Sequence, residues 1–213
     1  EGLFGARKPH RPFARVPSRY FERPRFGDDL ITPDKANAVL RGGLNLKMRD
    51  DHPDFPALVL ANHMLGSSSV ARVPARVREK EGLSYSTYTA FNSSAFDESA
   101  SFRVSAIFAP ENRGRVESAI REELARAVKD GFTAEEVAAA KSSVLEQRRI
   151  ARAQDRALAG RLSNYLYVKR TFAWDIDFEK KIAALTPDQI NAALRKHIDP
   201  ARLSIVVAGD LKK

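Results

Sequence analysis

The 213-residue sequence contains no cysteine. That removes disulfides, thiolate nucleophiles and cysteine-bound zinc from consideration, and it suits an exported bacterial protein. No apolar run approaches the roughly 20 residues needed to cross a bilayer. The start has no charged-then-apolar leader pattern. Glu1 stands where a Met would open a nascent chain, as expected of a processed chain or an excised domain. Histidine is scarce: His10, His52, His63 and His197 are the full set. No two are a helical turn apart, and none lies in H-x-x-E-H or H-E-x-x-H. A helix-borne catalytic zinc needs two imidazoles one turn apart beside a carboxylate base, so the chain cannot build one. His63 falls in an apolar helical stretch and reads as a satisfied core or interface residue. His197 ends a helix, where a cation complements the dipole. His10 and His52 lie in or beside loops and carry no signal. A G-x-S-x-G elbow is missing, and the Gly66-Ser67-Ser68-Ser69 run lacks the lysine of a phosphate-binding loop.

What is present suffices for one large domain or a tight two-layer unit. At 43% hydrophobic residues the chain can bury a core, which argues against global disorder. Its net charge of +9 is unevenly spread. Residues 1–25 carry Arg7, Lys8, Arg11, Arg15, Arg19, Arg23 and Arg25 against Glu1 and Glu22, while the remainder is close to balanced. With Pro9, Pro12, Pro17 and Pro24, residues 1–29 read as a basic, extended lead-in, expected to pack on a neighbouring domain. Residues 30–213 read as a single domain.

From Ala36 the pattern alternates through Leu40, Leu44, Leu46 and Met48. Period two means a strand, with Gly42-Gly43 expected to mark a bulge or bend. Asp50-Asp51-His52-Pro53 is expected to open a helix with Pro53 at its first position. That helix runs apolar to Gly66, and a short basic helix follows to about Lys80 and stops at Gly82. Residues 83–91 and 101–109 read as a hairpin. Helical spacing then dominates, with Thr133/Glu136 and Thr186/Gln189 as capping boxes and Gly160 expected to divide the long middle helix. A last strand covers 203–208. Strands and helices are segregated, which predicts an α+β fold: an antiparallel or mixed sheet with helices packed on one face.

One segment stands out, Arg72-Val-Pro-Ala-Arg76-Val-Arg78-Glu-Lys-Glu81-Gly82-Leu83-Ser84-Tyr85. A basic helix stops at a glycine and feeds directly into a strand, a reversal that could bring Arg78 near Tyr85. A guanidinium beside a phenol can grip a peptide carbonyl or a developing oxyanion. The residues alone equally allow Arg78 to pair with a local glutamate and Tyr85 to fill a half-buried strand site.

The stretch Arg78-Glu-Lys-Glu-Gly-Leu-Ser-Tyr85 resembles the R-x6-Y signature in the zinc-free C-terminal half of pitrilysin/insulinase peptidases. Asp34-Lys-Ala-Asn-Ala38, Asp54-Phe-Pro-Ala-Leu-Val-Leu-Ala-Asn62, Met64-Leu-Gly66, Gly131-Phe-Thr-Ala-Glu-Glu136 and Ile205-Val-Val-Ala-Gly209 are similar to other segments of that family, in the same order. The similarity runs from about residue 31 to the end and is nearest to the last domain of long bacterial members. One departure is Gly66-Ser-Ser-Ser-Val-Ala71-Arg72-Val73-Pro74, where the family has Gly-Gly-rich sequence and Ser-Arg-Leu. The resemblance implies the fold of the mitochondrial processing peptidases and zinc on another domain or subunit, with no metal here. It also implies a peptide substrate held by Arg78, Tyr85, Gly82, Leu83 and Ser84, and a periplasmic home. Catalysis would then be centred elsewhere, and this chain alone would be inactive. Two rival readings are a catalytically silent scaffold of the same fold, and nucleic-acid binding through the basic lead-in. The near-neutral body argues against the second.

Overall fold

The computed structural model describes residues 10–68 and 70–211. Glu1, Arg7, Lys8 and Pro9 of the lead-in, and Ser69 of the serine run, lie outside the described residues. The strands are β1 (Gly27–Ile31), β2 (Ala38–Leu46), β3 (Ser86–Ser93), β4 (Ala100–Phe108) and β5 (Ser204–Gly209). They form one sheet in the order β1-β5-β2-β4-β3. β1 runs parallel to β5, and the other pairings are antiparallel. The helices are α1 (Phe55–Gly66), α2 (Arg72–Pro74, continued by a π-helical turn over Ala75–Lys80) and α3 (Arg113–Asp130). Then come α4 (Ala134–Arg152), α5 (Asp155–Val168), α6 (Phe172–Ala184) and α7 (Pro187–His197).

The α+β reading holds, and the alternation explains it. Ala38, Leu40, Leu44 and Leu46 of β2, Phe102, Val104, Ala106 and Phe108 of β4, and Ile205 and Val207 of β5 all point into one core. Leu58 and Leu65 of α1, Ile120 and Leu124 of α3, Ile182 of α6, and Ile190 and Leu194 of α7 cover it. The intervening strand residues face away from the helices. Each buried aliphatic or aromatic side chain contributes about 1.5–3 kcal/mol by leaving water.

Gly42 and Gly43 do not make a bulge. β2 pairs with β4 without interruption from Ala38–Phe108 to Leu46–Ala100. The reason for Gly42 is packing, since a Cβ there would lie 2.6 Å from Cγ1 of Val104. Nor is Pro53 the first residue of α1. A turn closed by the Phe55 amide and the His52 carbonyl (2.9 Å) precedes the helix, which starts at Phe55 with Pro56 in its first turn. Gly160 lies inside α5, and the long helix divides instead at Ala153–Gln154. There Gln154 is extended, and Asp175 of α6 draws Arg148 of α4 and Arg161 of α5 onto one carboxylate. Both expected capping boxes form.

β1 was not legible as a strand. Its five residues, Gly-Asp-Asp-Leu-Ile, are all exposed and show no alternation; only backbone pairing with β5 makes them a strand. Before it, residues 10–26 run without regular structure over this domain's own sheet. Arg15 forks onto Asp97 at 2.6 and 2.7 Å, and the Ser18 amide joins the same carboxylate. Arg202 pairs with Glu22, and the Phe26 amide donates to Oγ of Ser204. Among the described residues, these contacts attach the lead-in to its own domain.

Candidate functional site

The arginines of α2 divide by direction. Arg72 donates to both carboxylate oxygens of Glu136 (2.8 and 2.7 Å) and to the Gly131 carbonyl, and it lies over the Phe132 ring. The Arg72 guanidinium holds the Glu136 carboxyl below its usual range. Arg76 binds Glu81 at 2.9 Å and Glu122 at 2.6 Å. With Val73 and Val77 buried beneath them, these contacts seat the helix on α3 and α4. Arg78 points out: its side chain is 54% exposed, with Nε 3.5 Å from the equally exposed Glu79 carboxylate. An ion pair of that kind is worth little in water.

After Arg78 the backbone widens. The Glu81 amide reaches back five residues to the Arg76 carbonyl (3.1 Å), and the Leu83 amide reaches six to Val77 (2.9 Å). π-helical turns of this type recur at functional sites. Gly82 follows with φ of 61°, a left-handed conformation that glycine adopts without strain. Tyr85 then stands at the head of β3, 68% exposed, with its amide on the Ile107 carbonyl at 2.9 Å. So Arg78 and Tyr85 flank one tight reversal and both present their polar ends to solvent. Neither the local-glutamate pairing nor a half-buried phenol withdraws them.

Leu83 and Ser84 turn the other way. Leu83 is buried in the core, and Ser84 is buried with its hydroxyl 2.7 Å from the Ile107 carbonyl. The short link between Gly82 and β3 turns them inward, so their side chains shape the reversal, unlike the exposed Arg78 and Tyr85. β3 itself is a sheet edge, with β4 as its one neighbour among the described residues. An extended peptide can add to such an edge.

The sheet face away from the helices carries a second feature that the sequence did not disclose. Arg41, Gly43 and Asn45 of β2, Tyr88 and Asn92 of β3, and Arg103 of β4 floor a groove of about 770 Å³. The lead-in forms its wall through Tyr20, Phe21, Arg23 and Phe26. Arg41 donates to the hydroxyls of Tyr88 and Ser105, and its hydrogen bond holds the Tyr88 phenol below the usual range.

Tertiary structure also gathers histidines that are far apart in sequence. Nε2 of His197 donates to Oδ2 of Asp54 at 2.8 Å, and Lys196 Nζ reaches the same oxygen at 2.8 Å. Nδ1 of His52 accepts the Asp54 amide at 3.0 Å. The three side chains are close enough to suit a metal ion, but the ammonium already neutralises the carboxylate. The cluster ties the end of α7 to the start of α1. His63 is half-buried on α1, and burial lowers its imidazole pKa. His10 is exposed in the lead-in.

Comparison with known proteins is consistent with this geometry. The family described as the peptidase M16 inactive domain matches residues 2–144. A solved structure of a peptidase M16 inactive domain from Pseudomonas fluorescens is similar, with TM-score 0.81 and 24% identity over 94% of this chain. A protease from Helicobacter pylori is similar at TM-score 0.79 and 15% identity over 97% of this chain. The periplasmic protease PqqL of Escherichia coli is similar at 0.71 and 16% over 87%. The chain spans 47% of the first, 50% of the second and 20% of the third. No curated protein matches. With the profile covering well over half of its length, the chain belongs to the peptidase M16 family as a zinc-free, inactive-type C-terminal domain.

Proposed function

We propose that this chain is the substrate-gripping wall of a pitrilysin/insulinase-type zinc peptidase, acting opposite a zinc-bearing domain or subunit. The observation that carries this reading is the pair Arg78 and Tyr85, both exposed on either side of the Gly82 reversal and both held by a buried frame. Arg78 donates from its guanidinium to the substrate carbonyl, and the Tyr85 phenol supplies a second donor as negative charge develops on that oxygen. β3 offers its free edge to the extended peptide. The zinc is held by the partner's H-x-x-E-H, where the metal activates water; no residue set in this chain matches that motif. The resemblance to a periplasmic protease and the lack of cysteine support a periplasmic home.

The test is turnover by the enzyme assembled with its zinc-bearing half. Arg78→Ala and Tyr85→Phe each lower kcat by about 10²–10³-fold, with zinc content measured by metal analysis unchanged. Equal kcat/KM in wild type and both variants would overturn the grip and leave a silent scaffold as the reading.

A further inference from the structure

The groove on the open sheet face has a one-sided charge. Arg23, Arg41, Arg103 and Arg202 line it, and among the described residues no aspartate or glutamate does. Among the described residues, Arg202 is the one of the four with a carboxylate partner, the exposed Glu22. Arg41 is held by neutral hydroxyls of Tyr88 and Ser105, so it is oriented without being neutralised.

The register sets the spacing of these charges. Arg41 pairs across the sheet with Ser105, and Arg103 stands two residues along β4 from that partner, opposite Gly43. Diagonal neighbours of this kind lie about 7–8 Å apart. Alternate side chains of an extended peptide recur at about 6.6–6.8 Å. Arg41 and Arg103 therefore leave the sheet at a spacing comparable with that of side chains at positions i and i+2 of an extended strand. Gly43 supplies the room: it has no side chain, and a Cβ there would meet nothing nearer than the Phe102 carbonyl at 3.8 Å.

The polar groups around the floor already recognise peptide backbone. Nδ2 of Asn45 donates to the Phe21 carbonyl, and the Phe26 amide donates to Oγ of Ser204. These contacts favour a peptide over a nucleic acid as occupant, although both are anionic-ligand chemistries.

We propose that this groove is a binding site for extended acidic peptide segments, reading carboxylates at alternate positions through Arg41 and Arg103. It names the substrate class of the peptidase reading and rests on that reading for its role. Its binding chemistry, however, can be measured without any zinc-bearing half. In the assembled enzyme it would favour substrates carrying an acidic stretch away from the scissile bond, placing it at the wall instead of at Arg78 and Tyr85.

The probe is a fluorescein-labelled Ala-Asp-Ala-Asp-Ala-Asp peptide, with Asn in place of Asp as its neutral match, titrated into the 213-residue chain by anisotropy. The acidic peptide binds at least about tenfold more tightly, as expected for charge-assisted hydrogen bonds, and the difference shrinks as salt rises. Arg103→Glu and, independently, Gly43→Glu abolish the preference while the thermal melt stays that of wild type. Equal binding of the two peptides overturns the proposal. So does an acidic preference that survives both variants, or displacement of the peptide by an oligonucleotide at lower concentration than by the unlabelled peptide. Because these readouts need no turnover, they stand or fall separately from the Arg78 and Tyr85 kinetics.

Discussion

The two faces of the central sheet follow opposite rules, and β2 carries both. Its even-numbered residues, Ala38 through Leu46, are sealed under helices and obey packing. Its odd-numbered residues, with Arg41, Gly43 and Asn45, face the groove and obey charge and access. The lesson is sharpest at two adjacent glycines. Gly42 is glycine because Val104 leaves no space, whereas Gly43 leaves space that something else can enter.

The contrast breaks most visibly when the sealed face is hollowed. Phe102, 1% exposed, replaced by Ala lowers unfolding free energy by about 3–5 kcal/mol in urea titrations. Its exposed neighbour Arg103, replaced by Ala, shifts it by less than about 0.5 kcal/mol. A smaller effect separates the glycines. Gly42→Ala costs about 1–3 kcal/mol, because the stiff β-branched Val104 must move, and Gly43→Ala changes stability by less than about 0.5 kcal/mol. If the two alanine variants melted alike, the division of faces at this point would be wrong.

The smallest effect concerns the strap at the edge of the open face. Arg15 hydrogen-bonds the Asp97 carboxyl and lowers its pKa from 3.8 to about 2. A depressed carboxyl stabilises the folded contact above the unfolded value and loses it as pH falls through the folded one. The strap contact is thus complete above about pH 4 and disappears as pH approaches 2. Hydrogen exchange of the Ser18 amide, which donates to Asp97, reports it: protection falls over that window, and Asp97→Asn removes most of it at neutral pH. The global melt barely moves, because the pair is near the surface.

Much of the fold was readable because its signals are local. Alternation in β2, β4 and β5, the capping boxes at Thr133 and Thr186, and the stop at Gly82 all act within a few residues of where they are written. The Arg78–Tyr85 spacing was equally local, so the pair could be named before its exposure was known. Elements that failed to read depend on distant partners. β1 exists through β5, almost 180 residues later. The division at Ala153 depends on Asp175 gathering arginines from two helices. Leu83 and Ser84 belong to the recognised motif, yet the motif does not say which of its members face inward.

Sequence by itself determined the α+β class, the absence of a zinc helix and the Arg78–Tyr85 spacing around Gly82, because periodicity, motif spacing and residue chemistry are properties of neighbouring positions. Tertiary structure alone decided that Arg41 and Arg103 share a groove, that the basic lead-in walls it, and that His52, Asp54 and His197 meet. These are outcomes of strand register and helix docking. Such contacts are set by which surfaces bury one another, and no single stretch of chain encodes them.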